Sequence, residues 1–175
     1  VVDSLQLNHV ILVGHNIGAQ AAVAYAARFP GKVNGLLLIG VPLKTTATRV
    51  TKIMDQLESE QYDSVTNNYL NYLLMNAQPP TAEILKEGFS KLSKNGVRKM
   101  VRGALQYDPV PALRKYTGPV MMLSTADDNA VATWQQLFPK NNYRSIENSS
   151  HWIQLDRPAL FNEILRKFLM ELPRS

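Results

Sequence analysis

The sequence predicts a parallel α/β sheet flanked by helices and interrupted by a helical insertion. Three observations predict it. Short apolar runs of β type stand at 9–13, 33–39 and 119–124, each too short for a helix. Helix-type segments alternate with these runs, and alternating strands and helices build a parallel sheet. Between the second and third runs, residues 44–115 carry helical periodicity broken by turns. Residues 1–43 and 116–175 are therefore expected to form the sheet-and-helix core, and 44–115 an insertion.

Each element has a local reason. Residues 9–13 are almost wholly apolar. A helix over 17–29 follows, rich in alanine, and Pro30-Gly31 stops it. Val33–Ile39 is a continuous apolar run of the kind that suits a parallel strand covered on both faces. Gly40-Val41-Pro42 closes it. Helices are expected at about 47–60, 62–76, 81–93 and 95–106, with Pro79-Pro80 splitting the segment. Pro119–Ser124 is a third strand, and a helix near 130–138 follows it. Tyr143–Ile146 is a fourth, short strand. The last helix, 157–171, places Leu160, Phe161, Ile164, Leu165, Phe168 and Leu169 on one face.

Composition sets outer bounds. The chain has 175 residues, 45% of them hydrophobic and 19% charged, which is enough for one domain with a sizeable core. It has no cysteine, so neither a disulfide framework nor thiol chemistry is expected, which fits a cytoplasmic, reducing setting. No apolar run approaches the ~18 residues of a membrane span. The first residues, Val1-Val2-Asp3-Ser4, lack the basic and apolar regions of a signal peptide. The net charge is +5, but its lysines and arginines are scattered without an aromatic stacking platform, so nucleic acid is not an expected partner. The three histidines lack metal-ligand spacing, and neither metal nor cofactor is expected.

The chemistry gathers in three loops at the carboxyl ends of parallel strands, where open α/β sheets place ligands. In the first, Val10-Ile11-Leu12-Val13 runs into Gly14-His15-Asn16-Ile17-Gly18 and then a small-residue helix. A strand, a Gly-x-x-x-Gly turn and a helix make a nucleophile elbow, whose middle residue is held out at the top of the sheet. That middle residue is Asn16. The second loop carries Asp128 and the third His151. Nucleophile position, acid, histidine is the chain order of an α/β-hydrolase triad.

On these residues the chain resembles the α/β-hydrolase fold family of serine esterases, lipases and haloperoxidase-like enzymes. Gly14-His15-Asn16-Ile17-Gly18 is similar to the family's Gly-x-Ser-x-Gly apart from the serine. Pro119–Asp128 is similar to the strand that ends in Gly-x-x-Asp, with Thr125 in place of the glycine. Ser150-His151-Trp152 through Pro158 resembles the histidine loop and the start of the last helix. The resemblance implies acyl transfer. A nucleophile at position 16 attacks an ester, His151 serves as base and then acid, and Asp128 orients it. The Ile17 N–H stabilises the oxyanion, and His15 and Trp152 line the substrate. It also implies that 44–115 is a lid, that the ligand is a small apolar ester, and that the usual strands before the elbow strand are lacking here.

Asn16 is the departure that matters. Asparagine tolerates the positive φ of an elbow, but its amide nitrogen is a poor nucleophile that a histidine cannot activate as it does a hydroxyl. The expected protein is a carboxylic-ester hydrolase by descent, impaired or inactive as it stands. Two alternatives stay open. One is a non-catalytic module that binds a small ligand or a protein. The other is a relative of the epoxide hydrolases or dehalogenases, which use aspartate at the elbow, with that aspartate changed to Asn.

Each residue also has a plainer reading. Asn16 serves the turn alone, and Asp128 caps the helix near 130, a task open to Asp127 or Asn129 as well. His9 and His15 are structural. Tyr62, Tyr69, Tyr72, Leu73, Leu74 and Met75 pack the lid rather than line an acyl pocket. Strand 9–13 has no edge protection, so pairing with a second copy or with an N-terminal segment is expected.

Overall fold

The computed structural model describes residues 2–125, 128 and 130–173. Four strands, β1 (Val10–His15), β2 (Val33–Ile39), β3 (Val120–Thr125) and β4 (Asn142–Ile146), pair in that order. All three pairings are parallel. Helix α1 (Ile17–Arg28) carries the chain from β1 to β2. The insertion contributes α2 (Ala47–Glu58), α3 (Tyr62–Leu73), α4 (Pro79–Ser90) and α5 (Lys94–Gln106). Three short helices follow, α6 (Pro109–Lys115), α7 (Val131–Leu137) and α8 (Ile153–Asp156), and then the long α9 (Pro158–Glu171).

β2 is the spine. Leu36, Leu37 and Leu38 are fully buried. Leu36 and Leu38 face α1 and α6, while Leu37 and Ile39 face α9, as the period of two along a strand requires. On the α1 side, Ala19, Ala22, Val23 and Ala26 present a narrow surface that lets the helix lie close to the sheet. On the other side α9 supplies Phe161, Ile164 and Phe168. The two faces carry two separate apolar clusters, one on each side of the sheet.

α6 departs from the sequence reading, which placed no helix between 106 and the third strand. Asp108 caps it by accepting from the Val110 N–H, and Pro109 occupies its first turn. Leu113 and Tyr116 join α1 and β2 in the main core, although both lie at the end of the segment read as insertion and its border. The terminal helix stands where it was read, as α9, and the short α8 before it is an addition. Arg157 precedes a proline, which disfavours the helical conformation at that residue, and Arg157 adopts φ −129°, ψ 57°. At α4 the proline pair does more than interrupt. It opens the helix, because a proline in the first turn gives up only an N–H that has no helical partner.

α2, α3 and α5 pack through Val50, Met54, Leu57 and Tyr62, against Val97, Val101 and Leu105. Thr46 and Ser93 cap α2 and α5 by accepting from the N–H groups of Arg49 and Gly96. The sheet's two edges are unlike. β4 exposes Asn142, Arg144 and Ser145, whereas β1 exposes Val13 to 48%. No helix among the described residues is long and apolar enough to cross a membrane.

Candidate active site

The turn after β1 is built by the backbone. Asn16 adopts φ 50°, ψ −119°, the first corner of a type II′ turn. Its N–H donates to the Ile39 carbonyl at 2.9 Å, and its own carbonyl accepts from Ala19 at 2.9 Å and Gln20 at 3.3 Å. Gly14 lets α1 come in close, since a Cβ there would lie 2.6 Å from the Ala19 Cα. The N–H groups of Ile17 and Gly18, at the open start of α1, have no hydrogen-bond partner among the described residues.

The loop after β4 brings His151 to this turn. The Asn16 amide nitrogen lies 2.8 Å from His151 Nε2. An amide NH₂ can only donate, so Nε2 accepts and the imidazole is neutral with its proton on Nδ1. Burial lowers the His151 pKa from 6.5, and the Asp128 charge works in the opposite direction. Gly40, at φ +52°, backs the ring. A Cβ there would lie 3.1 Å from His151 Cε1.

His15 points to the same loop. Its Nε2–H donates to the His151 carbonyl at 3.0 Å, and its ring sits 4.6 Å from both His151 and Trp152. Burial, reinforced by His151, drops the His15 pKa to about 4. Trp152 is packed on His15, and its buried Nε1 has no acceptor among the described residues. Asp128 is turned elsewhere. Its Oδ1 accepts from the Ala130 N–H at 2.9 Å, and among the described residues no hydrogen bond joins it to His151. Asp127 and Asn129, the other residues named above for the helix cap, lie outside the described residues.

Two further groups shape the site, Asp156, to which the sequence reading assigned no role, and Tyr69, one of the insertion's tyrosines named above. The Asp156 carboxylate accepts from the Ser150 N–H at 2.8 Å and the Gln78 N–H at 3.1 Å, tying the histidine loop to the insertion. Burial pushes its pKa up, and hydrogen bonds from Ser150, Thr81 and Gln78 outweigh that and leave it lowered. Tyr69 on α3 comes near the elbow. Burial raises its phenol pKa, with Tyr72 adding to the rise, while the Asn16 side chain acts to lower it. A separate open groove of about 300 Å³ lies at Lys44, Thr45, Val50 and Gln106, with neither Asn16 nor His151 in its lining. Among the described residues no cluster of three or more His, Asp or Glu side chains could hold a metal ion.

A strand, a strained turn carrying residue 16 and a histidine loop closing on it are the arrangement that the sequence motifs share with one family. The family model described as "Alpha/beta hydrolase family" matches residues 1–164. The chain belongs to the alpha/beta hydrolase family. Its curated relatives in the family are distant. A 2-hydroxy-6-oxononadienedioate/2-hydroxy-6-oxononatrienedioate hydrolase of Paraburkholderia phymatum is 24% identical over 190 residues, covering 97% of this chain and 65% of that protein. A proline iminopeptidase of Saccharolobus solfataricus is 24% identical over 193 residues, covering 91% of this chain and 62% of that one. The chain thus spans about two thirds of the length of these hydrolases. In three dimensions it is similar to a thermophilic esterase from Thermogutta terrifontis, with a TM-score of 0.81 at 16% identity over 97% of this chain and 68% of that one. It is also similar to a bromoperoxidase from Bacillus anthracis, with a TM-score of 0.75 at 15% identity over 97% and 70%. At such identities the likeness is one of fold.

Proposed function

We propose that this alpha/beta hydrolase is a carboxylic-ester hydrolase by descent whose elbow lacks a nucleophile, and that it retains a site for a small apolar ester or similar ligand. The observation that carries this reading is the Asn16–His151 hydrogen bond at 2.8 Å. A hydroxyl at that place would give its proton to a neutral Nε2 and attack an acyl carbon. The free Ile17 N–H would take the oxyanion. His15 and Trp152 would flank the ligand, and Asp128 would favour the cationic imidazole through its charge.

The amide at position 16 does none of the first step. Its nitrogen lone pair is delocalised into its own carbonyl, and its N–H occupies the base. Fresh protein is expected to bind a non-hydrolysed ester analogue and to give no covalent adduct with a fluorophosphonate. Asn16→Ser is expected to gain that adduct. Labelling of the unchanged protein would end this reading.

The bare edge of β1 belongs to the same proposal. Its exposed Val13 and its place at the end of the strand order favour a further strand at this edge, from a second copy of the chain or from an N-terminal segment. For the 175-residue chain alone, light scattering at micromolar concentration is expected to report a dimer. A monomer that stays soluble with β1 open would remove the second copy.

A further inference from the structure

The strained residue has a second consequence, which is covalent. A ψ of −119° at Asn16 eclipses the Cα–Cβ bond with the bond to the Ile17 nitrogen, because the substituents of a tetrahedral carbon stand a third of a turn apart. The side chain and the next backbone nitrogen therefore leave Cα on the same side, as the five-membered ring of a succinimide requires. Extended and helical backbones hold these two groups apart.

Three other features favour ring closure here. The Ile17 N–H has no partner among the described residues, so no hydrogen bond must be broken to use its nitrogen. The hydrogen bonds of Asn16 to Ile39, Ala19 and Gln20 hold the eclipsed backbone in place. His151 Nε2, 2.8 Å from Nδ2, stands at the group that must leave.

We infer that Asn16 is a self-modification site, at which the Ile17 nitrogen closes on the Asn16 side-chain carbonyl and expels ammonia beside His151. The bond formed joins the Ile17 nitrogen to Asn16 Cγ, and the bond broken is Cγ–Nδ2. The Ile17 proton passes to the leaving nitrogen, with Nε2 as its carrier, so the ring forms without any other reactant. Water then opens the imide to aspartate or isoaspartate. In the aspartate product a carboxylate replaces the amide against Nε2, and the site exchanges a neutral donor for an anion.

The sequence supplies its own controls. Asn34-Gly35 and Asn95-Gly96 have the unhindered following residue that makes asparagine labile in a flexible chain, whereas Ile17 is β-branched and hinders attack. Asn34 lies in β2 and Asn95 in the first turn of α5, where the backbone does not eclipse the two groups. The native fold is therefore expected to invert the order that the unfolded chain shows.

The experiment incubates the whole chain at neutral pH, native and in urea, and follows each asparagine by peptide mapping with tandem mass spectrometry. Loss of one ammonia, followed by a one-dalton net gain, marks conversion. In the native protein Asn16 is expected to convert faster than Asn34 and Asn95, and on the order of tenfold or more faster than in urea, the gain of a preformed attack geometry. His151→Gln is expected to slow position 16 and leave position 95 unchanged. Native protein that keeps Asn16 intact while Asn34 or Asn95 converts would overturn the inference. So would a rate at Asn16 that unfolding leaves the same or increases. The readout is independent of ester turnover, so it stands or falls apart from the proposed function.

Discussion

The sheet and the helical insertion are held by different physics. β2 alone buries three leucines completely between helices on both faces. The cluster of the insertion has four buried side chains, and α5 buries none of its own residues. Across its surface the insertion relies on exposed ion pairs, Arg102–Glu58 and Lys94–Asp63, worth roughly 0.2–1 kcal/mol each. The difference teaches where the order of the site comes from. Asn16, Ile17 and His15 stand on β1 and α1, so their geometry lasts as long as the global fold. Tyr69 and the Gln78 end of the Asp156 tether come from the insertion, where local opening costs less.

The contrast is sharpest at Gly14. Gly14→Val drives a side chain into the backbone of Ala19 and Gly18, with contacts as short as 2.6 Å. Neither neighbour is a flexible side-chain end, so a loss of ~3 kcal/mol or more is expected in denaturant titrations. A variant as stable as the parent would break the account of how closely α1 lies on β1. Leu38→Ala in the core is expected to cost ~3 kcal/mol, and Met54→Ala in the insertion ~2 kcal/mol. Hydrogen exchange separates them further. Met54→Ala should speed exchange in α2, α3 and α5 and spare β2. Equal acceleration in β2 would show that the two regions open together.

A smaller effect comes from pH. Burial pushes the His15 pKa down to about 4 in the folded protein, from its ordinary 6.5, because it disfavours the charged form. The unfolded chain therefore binds the proton more tightly. This contribution to stability is full above 6.5 and is lost as pH falls towards about 4, by on the order of 3 kcal/mol. Urea midpoints measured across that window should fall with pH in the parent and flatten in His15→Phe. An unchanged slope in the variant would move the buried proton site elsewhere.

The same contrast governs how much the sequence reveals. β2 is legible to the residue, because Val33–Ile39 has room for no reading other than a strand covered on both faces. The elbow is legible because an apolar strand runs into the Gly-x-x-x-Gly spacing, although only Gly14 makes a close approach, while a Cβ at Gly18 would meet nothing within 4 Å. The insertion is less so, and its helices end up to three residues before the periodicity fades, as at Leu73 for an expected 76. α6 escapes a reading by period because it has only seven residues. Its signal is local, Asp108 followed by Pro109.

In the site, motif order places residue 16 and His151 in neighbouring loops, but rotamers leave no trace in a sequence. The choice of Asp128 between the Ala130 N–H and the imidazole is of that kind. So is the Asp156 carboxylate, which joins Ser150 to Gln78 across a long stretch of chain.

The measurement that bears most directly on the central claim is turnover of a short-chain nitrophenyl ester by freshly purified protein, set beside His151→Ala. On the proposed function, an amide at position 16 beside His151 should give no burst. The background rate should be the same in both proteins. A burst or steady turnover that disappears in His151→Ala would contradict the account, because it would mean that the site forms an acyl-enzyme after all.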